Sequence, residues 1–284
     1  MLSLNSAAAL SFNAPVAPVV RSRVSAPSML EIEFGQVPWS GSSEISTKAG
    51  MEELAKKLNP TVGFYDPLGI VGDDVMPETI GWFRHAEIKH GRVAMAAFVG
   101  YCVPANGIHF PWNIQGPFPS GLDTVSFGDI SAAGGPADQW DALPTASKLQ
   151  ILGFVALFEF FGENSFCLEA SGEKHYMRGG KPGFYPDLKK CQIPHPVPLT
   201  LWDPFGFTTK LSAEKKANSL IAEINNGRLA MLGIMGFVAA SKVEGSVPAL
   251  TGVIKPYAGE VMAPFAAGDV SLPYVADMLK VSLF

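Results

Sequence analysis

The sequence predicts an all-α membrane protein with three transmembrane helices, the first and third forming a pseudo-two-fold crossed pair. Three observations predict it: three apolar stretches of bilayer length, an alternation of loop charge between them, and a motif that occurs twice at a fixed offset. Composition agrees. At 284 residues, 48% hydrophobic and 17% charged, with a mean hydropathy of +0.20, the chain carries more apolar side chain than an ordinary water-soluble composition. Its net charge of −5 offers no basic surface to a phosphate backbone, so nucleic acid is excluded as a partner. Cys102, Cys167 and Cys191 contain no closely spaced pair. They predict neither a zinc site nor a disulfide framework, and read as small packed hydrophobes.

The apolar stretches run from Ile80 to Val103, Ser147 to Cys167, and Leu220 to Ala240, each long enough for a hydrocarbon core of about 30 Å. Each carries ionisable groups in its first half, which makes it marginal by hydropathy alone and points to function, because intramembrane charge is costly. The loops orient the spans. Pro104 to Ala146 contains no Lys or Arg but holds Asp123, Asp129, Asp138 and Asp141, whereas the second connection carries Lys174, Arg178, Lys181, Lys189, Lys190 and Lys210. Lys48, Lys56 and Lys57 precede the first span. By the positive-inside tendency the first loop is translocated, the N-terminal flank and second loop are not, and the first and third spans run in the same direction.

Flanking segments complete the organisation. Residues 1–30 hold Arg21 and Arg23, many Ser, Ala, Val and Pro, and no acidic residue, the composition of a transit-type targeting segment. Residues 31–79 form an N-terminal region, 80–241 the three-helix domain and 242–284 a C-terminal tail, with a short amphipathic interfacial helix expected around Tyr274 to Val281.

The repeat has an offset of 136 residues, Glu87-Ile-Lys-His-Gly-Arg-Val-Ala-Met95 lying over Glu223-Ile-Asn-Asn-Gly-Arg-Leu-Ala-Met231. Ahead of each copy stands a related turn, Asp66-Pro67-Leu68-Gly69 and Asp203-Pro204-Phe205-Gly206, at an offset of 137. Within each turn Pro fixes φ and Gly permits a tight bend. Small residues also repeat in register: Gly91, Ala94, Ala97 and Gly100 against Gly227, Ala230, Gly233 and Gly236. Such rows let two backbones approach closely, so they predict that the first and third helices cross each other as a pseudo-two-fold pair about an axis along the membrane normal.

Glu87, Arg92, Glu223 and Arg228 lie within the repeat. Unpaired near the bilayer centre they would cost about 10 to 14 kcal/mol together, comparable with the whole stability of a domain. Within one helix Glu and Arg stand five apart, about 140° around the axis, so they cannot pair with each other. The parallel arrangement supplies the answer: Glu87 to Arg228 and Glu223 to Arg92, two crossed ion pairs. A carboxylate neutralised in this way keeps lone pairs for a metal. His90 and Asn226 occupy equivalent places three residues after each Glu, and they too carry a lone-pair donor.

Glu87-x-x-His90-x-Arg92 and Glu223-x-x-Asn226-x-Arg228, with the two Asp-Pro-x-Gly turns, closely resemble the chlorophyll a/b and a/c light-harvesting family over roughly residues 60 to 240. The resemblance implies that Glu87, His90, Glu223 and Asn226 each ligate a chlorophyll magnesium, which already has four ring nitrogens and needs one axial donor. Arg92 and Arg228 would close the ion pairs. Gln150 and Glu159 in the middle span resemble ligands of the algal chlorophyll a/c branch, with Glu163 facing the membrane boundary. The two turns, Asp66, Pro67, Leu68, Gly69 and Asp203, Pro204, Phe205, Gly206, resemble those that hold carotenoid end groups. Implied cofactors are chlorophyll a, chlorophyll c and a carotenoid of fucoxanthin or peridinin type. Implied partners are a photosystem core, other antenna subunits and thylakoid lipids.

The implied location is the chloroplast thylakoid, N-terminus stromal and C-terminus lumenal, and the implied function is a non-enzymatic antenna or, on the same scaffold, a photoprotective quencher. Two features depart from the green-plant pattern: Ala240 stands where a further Gln ligand is found, and no His follows His195. His85, His109, His175 and His195 read as loop or boundary residues. The rival from another class is a di-iron enzyme, since Glu87-x-x-His90 has its i, i+3 spacing, but the second copy lacks the His.

Overall fold

The computed structural model describes residues 45–114, 125–191, 203, 205–261 and 263–280, and within them the chain is helical, with a single isolated bridge between Asn113 and Ser126. The targeting segment, Trp202, Pro204, His195 and Val281 lie outside these residues. Eight α-helices follow in order: α1 (Lys48–Leu58), α2 (Pro77–Ala105), α3 (Phe127–Ala132), α4 (Pro136–Asp141), α5 (Thr145–Glu163), α6 (Ser165–Ala170), α7 (Ala213–Lys242) and α8 (Val275–Met278).

Local signals start and stop them. Pro77 occupies the first turn of α2, where a missing N–H costs nothing. The same helix ends in a Schellman motif: Ile108 N–H donates to Val103 O at 3.3 Å and Gly107 N–H to Pro104 O at 3.0 Å, with Gly107 at φ 71°, a conformation that suits glycine. Ser212 caps α7, its hydroxyl accepting from Lys215 N–H at 3.3 Å. Asn164, extended at φ −72° and ψ 118°, breaks the middle helix. The expected span to Cys167 therefore stops at Glu163, and Cys167 belongs to α6. In the tail, α8 is one turn long.

Helices α2 and α7 cross in parallel. A Cβ built on Gly227 would sit 2.8 Å from Gly91 Cα, and one on Gly91 would sit 3.0 Å from Gly227 Cα, so the two backbones touch and no other residue fits. Contact along the whole small-residue rows is not found. Gly100 and Gly236 meet nothing within 4 Å, while Gly233 faces the Phe98 ring. Past the crossing the helices diverge around aromatic wedges, Phe98 and Tyr101 each stacked on Phe237 at 5.0 Å.

Helix α5 runs the other way and is the one described helix that is both long and apolar enough to cross a membrane. It is almost bare, with Phe154, Val155, Leu157 and Phe160 all at least half exposed. A surface so apolar is not matched to water. Helices α2 and α7, at 29 and 30 residues, span about 43 to 45 Å, and the charges of the repeat keep their composition below that of α5.

Polar contacts gather at the two ends of the bundle. At one end the tail folds back on the start of α5. Tyr257 OH donates to Asp141 Oδ2 at 2.7 Å and Trp140 Nε1 to Pro264 O at 2.9 Å, while the fully buried Lys148 Nζ meets Asp269 Oδ2 at 2.6 Å. Burial opposes the Asp269 charge, but Lys148, the Thr145 hydroxyl and Ala266 N–H outweigh it and hold the carboxyl at about 2. Leaving either partner of such a pair alone in the interior would be costly, which fixes the tail to the helix. At the other end Asn225 Nδ2 donates to Leu58 O at 3.1 Å, tying α1 to α7, and the segment after α6 packs on α2. There Cys167 and Cys191 are buried, and burial pushes the Cys191 thiol up, so both behave as packed hydrophobes.

Candidate functional site

The crossing of α2 and α7 brings the repeated charges together. Arg228 Nε donates to Glu87 Oε1 at 2.6 Å, and Arg92 Nε to Glu223 Oε1 at the same 2.6 Å. These distances are short for nitrogen to oxygen, as charge-assisted bonds are. Symmetry ends at the next contact, for Arg92 Nη1 also donates to Gly183 O at 2.6 Å. Each carboxylate uses Oε1 on its arginine, and its chemistry leaves a second oxygen with lone pairs.

His90 and Asn226 sit exposed at matching positions on the outside of the crossed pair. The His90 ring is held in one tautomer. Its Nδ1 lies 2.8 Å from Ala86 O; since a carbonyl only accepts, Nδ1 is the donor, and that tautomer leaves a lone pair on Nε2. That is the state an axial metal ligand requires. Gln150 is exposed on the first half of α5.

Glu159, also exposed on α5, is paired by Lys89 of α2, whose Nζ bonds Glu159 Oε2. This link between helices was not expected from the sequence. The signal was present, because a carboxylate in an apolar run needs a cation and Lys89 is a further charge inside the first span. Glu159 thus matches the two repeat carboxylates: one oxygen on a cation, the other a potential donor.

Glu163, expected to face the membrane boundary, is the last residue of α5 and joins α2, α5 and the chain after α6. It accepts from His175 Nε2 at 2.9 Å and lies 3.5 Å from both Lys89 Nζ and His85 Nε2. His85 and His175 are therefore not plain loop residues. His85 is buried, stacks on Tyr176 at 3.8 Å between ring centroids, and accepts from Gly183 N–H at 3.0 Å. Burial and then the Glu163 charge push the Tyr176 phenol up to about 12, and burial with the Glu159 charge does the same to Tyr185. Both phenols stay neutral. Tyr185 OH donates to Phe158 O at 3.0 Å, a third brace on α5.

The two Asp-Pro-x-Gly turns share one hydrogen-bond pattern. Asp66 accepts from Ile70 and Val71 N–H at 3.1 and 2.8 Å, Asp203 from Phe207 and Thr208 N–H at 2.7 Å each. Gly69 and Gly206, at φ 62° and 70°, close both turns. The bond from Val71 chiefly lowers the Asp66 pKa, and the Thr208 hydroxyl chiefly lowers that of Asp203. Both carboxylates are thus spent on their own loops, and Leu68 and Phe205, 80% and 75% exposed, are left as the apolar face of each turn. Pro67 fixes the first turn from within; Pro204 lies outside the described residues.

A parallel pair of helices crossed at glycine, locked by two symmetric ion pairs and carrying outward lone-pair donors, defines a helical scaffold for ligands that need one axial donor each. The family model described as chlorophyll A-B binding protein matches residues 51–242. A fucoxanthin-chlorophyll a-c binding protein of Trieres chinensis is 35% identical over 214 residues, 73% of this chain and 88% of the relative. Two fucoxanthin-chlorophyll a-c binding proteins of Phaeodactylum tricornutum, forms F and B, are 31% and 33% identical over 74% and 72% of this chain and 89% and 86% of their own length. All three are described as chloroplastic. The chain belongs to the chlorophyll A-B binding protein family.

Proposed function

We propose that this chain is a light-harvesting antenna subunit that spans the thylakoid membrane three times, binds chlorophyll a, chlorophyll c and a fucoxanthin-type carotenoid, and passes excitation to a photosystem. The observation that carries this is the pair of Glu–Arg contacts at 2.6 Å across the repeat. Each makes a neutral unit from two charges and still leaves an oxygen donor in an apolar setting.

Glu87, His90, Glu223, Asn226, Gln150 and Glu159 are the donors for chlorophyll magnesium; Leu68 and Phe205 with their turns offer the surface for carotenoid ends. The bound pigments supply light absorption and excitation transfer. The protein performs no bond chemistry of its own: the crossing fixes where donors stand, the ion pairs hold the helices against thermal drift, and the apolar faces exclude water. The carboxylates that a di-iron reading would need are committed to arginine, which opposes a second cation.

Topology follows from the two polar ends. The end that holds α1, the Glu163 cluster and the lysine-rich second connection is the stromal side, and the end where the tail docks on α5 is the lumenal side. Residues 1–30 then serve as the plastid targeting segment. Photosystem core, neighbouring antenna subunits and lipid are the partners for the exposed faces of α2, α5 and α7.

The test is reconstitution of the full chain with chlorophylls a and c and fucoxanthin, followed by pigment extraction and fluorescence excitation spectroscopy. The expected result is several chlorophylls and carotenoid per chain, with light absorbed by the carotenoid emitted from chlorophyll a. A colourless product, or pigments bound without transfer between them, would remove the antenna reading.

A further inference from the structure

We propose that His109 is an additional axial ligand for a magnesium tetrapyrrole, just past the C-terminal end of α2 and away from the repeat motif at its middle. The proposal rests on the antenna reading, and its test separates the two. His109 stands 19 residues after His90, about 28 Å further along if the rise of a helix is used as the scale, and no ligand of the repeat reaches it.

The ring is prepared as the His90 ring is. His109 Nδ1 lies 3.0 Å from Phe110 O; a carbonyl only accepts, so Nδ1 is the donor, and that tautomer leaves a lone pair on Nε2. His109 is exposed, so that lone pair can be reached from outside the bundle.

Its surroundings are apolar, flat and braced. Phe110 stacks on Trp112 at 4.9 Å with planes 17° apart, and Phe127 meets Phe110 edge-on at 5.6 Å. Ile108, Phe110 and Trp112 are 64%, 58% and 38% exposed, an apolar ledge beside the imidazole. The ledge is held by a two-stranded clamp. Ile114 N–H donates to Val125 O at 3.1 Å and Phe127 N–H to Trp112 O at 3.3 Å, around the Asn113–Ser126 bridge. A Cβ on Gly128 would lie 3.8 Å from His109 Cε1, so the imidazole rests against the start of α3. The Schellman turn at Gly107 aims the chain there.

Charge fits the same ligand. The connection from Pro104 to Ala146 has no Lys or Arg, and the adjacent carboxylate, Asp129, accepts from Ser126 Oγ at 2.7 Å and caps α3. A neutral macrocycle with a metal short of one donor suits a ring nitrogen beside an aromatic wall; the connection itself supplies no cation for an anion.

The experiment reconstitutes the full chain, wild type and His109→Leu, with chlorophylls a and c and fucoxanthin, and measures the chlorophyll-to-protein ratio and far-ultraviolet circular dichroism. His109→Leu is expected to lose one chlorophyll per chain with unchanged helicity, and His109→Asn, which keeps a lone-pair donor, to regain it. An unaltered ratio in His109→Leu overturns the proposal and leaves the antenna reading intact. Loss of helicity and of several pigments in both variants also overturns it, since His109 would then support folding rather than ligation. A wild-type chain that binds no chlorophyll removes the antenna reading itself.

Discussion

The two copies of the repeat agree at Glu, Gly and Arg and differ at the residue two places after Glu. In α2 that residue is Lys89, which reaches across to Glu159 of α5; in α7 it is Asn225, which reaches back to Leu58 O of α1. Arg92 likewise holds Gly183 O in addition to Glu223, whereas Arg228 holds Glu87 alone among the described residues. The residues that agree make the crossing, a two-fold object in which each helix supplies half. Lys89 and Asn225 assign neighbours: α2 is tied to the middle helix, and α7 to the N-terminal helix. A duplicated unit can keep its interface and change its attachments, because the interface residues face the axis and the others face away from it.

The largest effect is expected where the copies touch. Gly227→Leu places a side chain on Gly91 Cα, which the 2.8 Å approach forbids, and separates both ion pairs at once; no stable pigmented complex should form on reconstitution. Gly236→Leu is the control in the same row. It faces open space, and near-normal yield is expected. Equal loss in both would restore contact along the entire row.

Next come the arginines. Arg228→Gln and Arg92→Gln each strand a carboxylate, at a cost of about 2.5 to 3.5 kcal/mol if it is near the bilayer centre, reduced by partial exposure. Arg92→Gln also gives up the bond to Gly183, about 1 kcal/mol more. The temperature at which pigments dissociate should fall in both and further in Arg92→Gln. Identical temperatures would show that the asymmetry carries no stability.

These pairings were legible in the sequence because the physics left little choice: charges in an apolar helix need partners, and five-residue spacing forbids pairing within one helix. The paired Asp turns were legible for a similar reason, since the repeat showed them twice. Divergence of α2 and α7 past the crossing was not, because it depends on how Phe98, Tyr101 and Phe237 pack, and glycine spacing says nothing of aromatic shape. Lys89 to Glu159 joins segments that no repeat relates. Lys148 to Asp269 spans 121 residues, and a buried Lys at the start of an apolar helix identifies its own need without naming the carboxylate that meets it.

The differing position itself offers a smaller effect. Lys89→Met removes the cation that holds the Glu159 carboxylate in place; one chlorophyll per chain should be lost, measured by pigment extraction. Asn225→Leu removes one neutral hydrogen bond, about 1 kcal/mol, and should leave the pigment count unchanged. Loss of pigment in Asn225→Leu alone would reverse the assignment of roles.

The smallest effect tests the part of the repeat that is most alike. The Asp66 and Asp203 carboxyls both lie below the ordinary 3.8, chiefly through the Val71 amide in the first and the Thr208 hydroxyl in the second. Depressed acids favour the folded turn above 3.8 and lose that contribution as pH falls through the lower, folded value. Hydrogen exchange of the Val71 and Thr208 amides should therefore be slow and flat relative to its intrinsic rate above pH 4, and gain exchange relative to that rate on further acidification. Asp66→Asn should abolish the pH dependence at Val71 and leave Thr208 untouched, with Asp203→Asn doing the converse. Asp203 also accepts from the Thr208 hydroxyl; exchange at either amide that ignored its own Asp→Asn change would mean that the carboxylate does not hold that turn.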